Sequence, residues 1–147
     1  MLTKTRIRAG KLAVGKISSR DEAVLNDNGL RVESVVYDFS EDEGAVGTIN
    51  FGRKLPEGAI VTKIISDEIT ALTSGGAATL QLKVGSIDLT DALAFDTGFA
   101  GIDNQVLASS AEGIKVNSDS ELNLDIAVAA LTAGKVRFFV EYMLPND

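Results

Sequence analysis

Carboxylates are the only abundant groups in this chain that could do acid–base chemistry. Its 147 residues hold 21 Asp and Glu but no histidine and no cysteine. Without histidine the chain lacks the commonest general base, the usual partner of a nucleophilic serine and the commonest transition-metal ligand. Without cysteine it has no disulfide framework and no thiolate metal site, and its redox compartment is left open. What remains is two-carboxylate chemistry of the glycosidase kind, which needs two carboxyl groups held roughly 5–10 Å apart across a cleft. Glu41, Asp42 and Glu43 are adjacent in a loop and point in different directions, while Asp67 and Glu68 alternate faces. A dyad would therefore have to come from separated strands, and solvated surface acids are the plainer reading. Asp88, Asp91, Asp96, Asp103 and Asn104 fall in one irregular region, and clustered hard oxygens suit Ca²⁺. Their spacing is not that of an EF-hand, and an acidic chain puts acids in its loops by chance. The expectation is no catalytic residue, no metal and no cofactor.

Charge is distributed unevenly. Lys4, Arg6, Arg8, Lys11, Lys16 and Arg20 give the first twenty residues +6 with no acid, and the remaining 127 residues carry −13, for a net −7. Such a split suggests an arm that docks on something, followed by a folded body. Nucleic acid is not the expected partner, because the arm has no aromatic residue to stack on bases and the body repels phosphate. A protein surface of opposite charge fits better, with a merely disordered tail as the alternative. Charges without a following apolar run do not make a secretory signal, and Gly10 and Gly15 interrupt any transit-peptide helix. No apolar run reaches the 18 residues of a membrane span.

The elements that must position these groups read as strands. Residues 1–29 form the arm, ending at the turn signal Asn26-Asp27-Asn28-Gly29, and residues 30–147 form one domain. Residues 30–39 are β-branched and half alternating, 40–44 are an acidic loop, and 45–51 are a short strand. Residues 59–72 make a long strand whose two sides both begin apolar and become mixed, as a strand that bends or changes sheets would. Ala78, Leu80, Leu82 and Val84 alternate with polar residues. Residues 85–104 are irregular, with Thr90 placed to cap one helical turn. Short strands are expected at 105–108 and 113–116. Leu122, Leu124, Ile126 and Val128 share one face of the next strand, and a hairpin leads to the last, at 135–143. There Val136, Phe138, Val140 and Tyr142 face one way. Phe139 and Met143 face the other, which makes them candidate oligomer-interface residues. About eight short strands with Gly-rich turns and hardly any helix mean a sandwich or barrel.

Three fragments carry a resemblance. They are Leu55-Pro-Glu-Gly-Ala-Ile-Val-Thr-Lys-Ile64, Leu72-Thr-Ser-Gly-Gly-Ala-Ala-Thr-Leu80, and the run from Leu122 to Val136 leading into Val140-Glu-Tyr142. Over residues 50–142 the chain resembles small structural proteins of tailed bacteriophages, of the capsid decoration (cement) or head-fibre kind. The likeness is one of texture, since no motif there binds a ligand. It implies an all-β, jelly-roll-like sandwich, often a homotrimer, that sits on the capsid surface of the virion, contacts the major capsid protein and has no catalytic residues. The arm lies outside the matching region, so its docking role rests on charge alone. Two rivals share the fold. A carbohydrate- or receptor-binding fibre module would stack aromatic rings on sugars, for which the chain offers no Trp and only Tyr37 and Tyr142. A carboxylate-dyad hydrolase would need a deep cleft with a carboxyl pair of shifted pKa.

Overall fold

Period-two alternation dictates most of the elements. Thr79-Leu-Gln-Leu-Lys-Val84 can bury Leu80, Leu82 and Val84 only as an extended strand with Thr79, Gln81 and Lys83 on its other side. Leu122, Leu124 and Ile126 act alike, as do Val136, Phe138, Val140 and Tyr142. The structure is a computed structural model and describes residues 29–108 and 114–145. It divides into Arg31–Tyr142 and a second unit made of the chain ends, Met1–Leu30 with Met143–Asp147. Within the latter, the Leu144 N–H donates to the Gly29 carbonyl at 3.1 Å.

The strands are β1 (Leu30–Asp38), β2 (Gly47–Leu55), β3 (Ile60–Ser74), β4 (Thr79–Val84), β5 (Ile87–Asp88), β6 (Leu93–Ala94), β7 (Ile102–Gln105), β8 (Ile114–Lys115), β9 (Ser120–Ala127) and β10 (Leu131–Met143). One sheet has the order β1-β10-β3-β7, with β8 also on β3; the other has β2-β9-β4-β5, with β6 also on β4. The ladders β2·β9, β4·β9 and β3·β7 run antiparallel. The pairs β1·β10, β2·β9, β3·β7 and β4·β5 are successive rungs of one long ribbon folded at β4–β5, with alternate rungs falling in opposite sheets. That order is a jelly roll, so the fold expected from the strand pattern is the fold observed. Ten strands replace the expected eight because one edge of β3 is paired by two short pieces, β7 and β8, and one edge of β4 by two more, β5 and β6.

The core lies between the sheets. Val35, Tyr37, Ile64, Val136, Phe138 and Val140 come from the first sheet, and Leu55, Leu80, Leu82, Leu122, Leu124 and Ile126 from the second. Each such side chain contributes roughly 1.5–3 kcal/mol by leaving water. Phe99, from the loop before β7, meets Phe138 edge to face. The long strand β3 does slip its alternation: Val61 is buried near one end, then Ile64 and Ser66. A second slip lies in β10, where Leu131 and Gly134 are both buried. Gly134 adopts φ +124°, and a Cβ there would meet Leu72 Cα at 2.7 Å, so the kink demands glycine.

Several local expectations fail. Residues 39–42 are one helical turn, α1 (Phe39–Asp42), where the end of a strand and the start of a loop were expected. Thr90 caps no helix: it is buried, and its Oγ1 accepts from the Leu82 N–H at 3.2 Å, completing a sheet edge. The strand expected from 105 to 108 instead covers 102–105. Val128 does not join its inward row, because the chain turns there at φ 72° and leaves it exposed.

Candidate interaction surfaces

The two outer faces of the sandwich are built from the residues left over once the core is filled, and they differ in chemistry. On β2, β9, β4 and β5 the outward residues include Thr48, Asn50, Asp125, Gln81, Lys83 and Asp88. They bind one another: Thr48 Oγ1 donates to Asp125 at 2.6 Å, and Lys83 Nζ stands 3.4 Å from Asp125 and 3.6 Å from Asp88. Asn123, also on this face, is buried and donates to the Gly85 carbonyl at 3.1 Å.

The first sheet's outer face is apolar in many places. Val32 is 59% exposed, Ile69 45% and Ile102 78%, while Val36, Ile65 and Phe139 are half-buried. Phe139 thus stands outside the core, on the side expected for it. Met143, the last residue of β10, is half-buried. The six arm cations Lys4, Arg6, Arg8, Lys11, Lys16 and Arg20 lie outside the described residues.

At one end of the sandwich α1 gathers acids. Asp38 Oδ1 accepts from the Ser40 N–H at 3.0 Å and from the Ser40 hydroxyl at 2.7 Å, while Asp42 accepts from the Asp38 N–H at 2.9 Å. This reciprocal arrangement is a capping box in effect. The hydrogen bonds from Ser40, and then Lys135 at 3.4 Å, hold the Asp38 carboxyl below its ordinary value. Burial, reinforced by Asp42 and Asp38, pushes the Tyr37 hydroxyl up to about 12.

Two of the carboxylates singled out in the sequence are engaged by backbone N–H groups. Asp42 caps α1, and Glu68 Oε2 accepts from the Leu72 N–H at 3.0 Å. The five residues Asp88 to Asn104 are dealt to different places: Asp88 sits on β5 of one sheet, Asp103 and Asn104 on β7 of the other. Among the described residues no three Asp or Glu come together to hold a metal ion, and no helix is long and apolar enough to cross a membrane. Tyr37 and Tyr142 are buried and cannot stack on a sugar. A pocket of about 400 Å³ between the β3–β4 turn and β6 is lined by Gly76, Ala77, Ala78, Thr79, Ala94, Phe95 and Asp96. It offers one aromatic ring and one carboxylate, too few convergent polar groups to orient a substrate.

No family model matches the chain, nor does any curated protein. Among solved structures, the chain is similar to one in the acidic stable capsid structure of Helicobacter pylori bacteriophage KHP30, with a TM-score of 0.55 at 15% identity over 80% of this chain and 89% of that one. It also matches chains in the capsid of Ralstonia phage GP4 (TM-score 0.48, 20% identity, 80% and 86% covered) and in the capsid asymmetric unit of cyanophage Pam1 (TM-score 0.49, 19% identity, 98% and 100% covered). At such identities the likeness to the first is one of fold: the chain shares its β-sandwich with a protein found in a phage capsid.

Proposed function

We propose that this chain is a non-enzymatic structural protein of a phage virion that binds the assembled capsid and stabilises it, as decoration or cement proteins do. The observation that carries this reading is the jelly-roll sandwich itself, shared with a chain of a phage capsid structure. The carboxylates add to it, since Asp42 and Glu68 accept from backbone N–H groups and Asp88 and Asp103 lie on different sheets. The partner is the major capsid protein and the location is the capsid surface. Lys4, Arg6, Arg8, Lys11, Lys16 and Arg20 supply the contact: an arm that orders on binding loses entropy but wraps a large surface. Phe139 and Met143 join copies, so that one bound arm raises the effective concentration of the next. The trimeric state is implied by the family resemblance alone.

Deletion of residues 1–20 tests the reading. The truncated protein should melt as the full chain does but lose most of its binding to capsids stripped of the native copies, read by co-sedimentation. Unchanged affinity would remove the arm from the mechanism. Full-length protein that ignores capsids and binds host glycans would make the chain a fibre module.

A further inference from the structure

The contrast between the two outer faces calls for a partner on one of them. The polar face is satisfied internally, through Thr48, Asp125, Lys83 and Asp88. The other presents Val32 and Val36 on β1, Phe139 on β10, Ile65 and Ile69 on β3 and Ile102 on β7. A sheet in a small sandwich needs one apolar face for its core, and a second one left in water marks an interaction surface.

Charge on β10 says what covers it. The outward row of that strand reads Arg137, Phe139, Glu141. Two residues of strand advance about 6.7 Å, so a cation and an anion stand at nearly equal distances on either side of the ring. The Arg137 guanidinium has no ion-pair or hydrogen-bond partner among the described residues. Among the described residues, Glu141 Oε1 accepts from the Thr62 hydroxyl at 2.9 Å and no cation pairs with it. Among the described residues neither charge of the row has an opposite charge beside it, yet the row is complementary to its own reverse.

We propose that this face packs on the same face of a second copy, about a two-fold axis that lies in the interface plane and crosses β10 at right angles beside Phe139. Such an axis reverses the strand direction and keeps each strand over its counterpart. Phe139 then meets the Phe139 of the second copy, and Arg137 faces the second copy's Glu141 on both sides of it. The aliphatic residues of β1, β3 and β7 fall over their own kind. This is an isologous contact, in which residue i meets j and j meets i. A three-fold ring joins two different patches and leaves the symmetry of this row unused. The pairing is independent of capsid binding and of the arm.

Light scattering on the full-length protein at micromolar concentration should give twice the chain mass of 15.5 kDa. Arg137→Glu and Glu141→Arg should each weaken the dimer about 100-fold or more, since each sets like charges face to face in a desolvated contact. The double swap Arg137→Glu/Glu141→Arg should restore it, because every cross-axis pair is again opposite in sign. Gln81→Arg on the polar face should leave the mass unchanged. Both swapped side chains are half-buried on the outer face rather than in the core, so melting curves should show every variant folded, whereas Phe139→Asp alone would confuse dissociation with misfolding. A wild-type mass of one chain or three overturns the pairing, and so does a double swap as dissociated as the singles. A monomer whose Arg137→Glu variant loses capsid binding would assign the face to the capsid instead.

Discussion

Tyr37 donates its phenolic O–H to the Glu43 carbonyl at 2.8 Å, spanning the single turn of α1. Tyr37 is buried in the core, and Glu43 leaves α1 at φ 61°, a conformation that a non-glycine residue holds only when its surroundings impose it. The ring anchors one end of that bond while the carbonyl fixes the exit from the helix.

The raised Tyr37 pKa sets a pH dependence. Its folded value of about 12 exceeds the unfolded 10.0, so its contribution is complete below pH 10 and is lost as pH rises from 10 through 12. Tyr37→Phe should cost about 1 kcal/mol at neutral pH through the lost hydrogen bond, and its stability should fall less steeply above pH 10. Parallel alkaline unfolding curves for the two proteins would refute this.

Asp38 sets the opposite dependence. Its folded pKa lies below the ordinary 3.8, so its contribution is present above that value and lost as pH falls through the folded one. Asp38→Asn should be less stable than the wild type in urea at pH 7, and the gap should close as the pH drops below 3.8. A gap that is constant with pH would mean the carboxylate charge is irrelevant to the cap.

Phe99 and Phe138 stack edge to face, with ring centroids 5.9 Å apart and planes at 88°. Each Phe→Ala change should cost about 3–5 kcal/mol. A double-mutant cycle should show a coupling of roughly 0.5–1.5 kcal/mol. Strict additivity would show that the rings are stabilised by burial alone.

Gly134→Ala should destabilise the protein by about 1–3 kcal/mol, since alanine must hold φ +124° with its Cβ against the Leu72 backbone. A thermal melt within a degree of the wild type would show that β10 can straighten there.

Much of the fold was legible because alternation is a local signal. β4, β9 and the inward row of β10 follow from which residues are apolar at every second position. In β3 both sides begin apolar and turn mixed, and the strand does not change sheets: it stays in the first sheet and slips its alternation instead. The residues between β4 and β9 were harder, because short strands there are made by pairing with distant partners. Thr90 looked like a cap in sequence; the Leu82 N–H that it serves belongs to β4, and nothing near Thr90 announces that. The turn α1 hides behind Glu41 and Glu43, which read as loop, although Asp38 with Asp42 four residues on was a capping signal. The outward position of Phe139 could be read from parity. The polarity of the opposite face could not, since it depends on β2, β9 and β4 lying side by side in that order.

The pairing of β1 with β10 also sets a clock. The first strand of its sheet has no described neighbour other than the last. At roughly 5–20 residues per second, the stretch from Asp38 to Leu131 takes on the order of 5–20 s to synthesise. Until then β1 is an open edge on the ribosome, and the two sheets cannot close on each other. Closure of the first sheet must therefore wait until β10 has been made, and a copy broken off before β10 leaves β1 unpaired. Any contact made through that sheet would admit only molecules that carry β10, with no separate proofreading step.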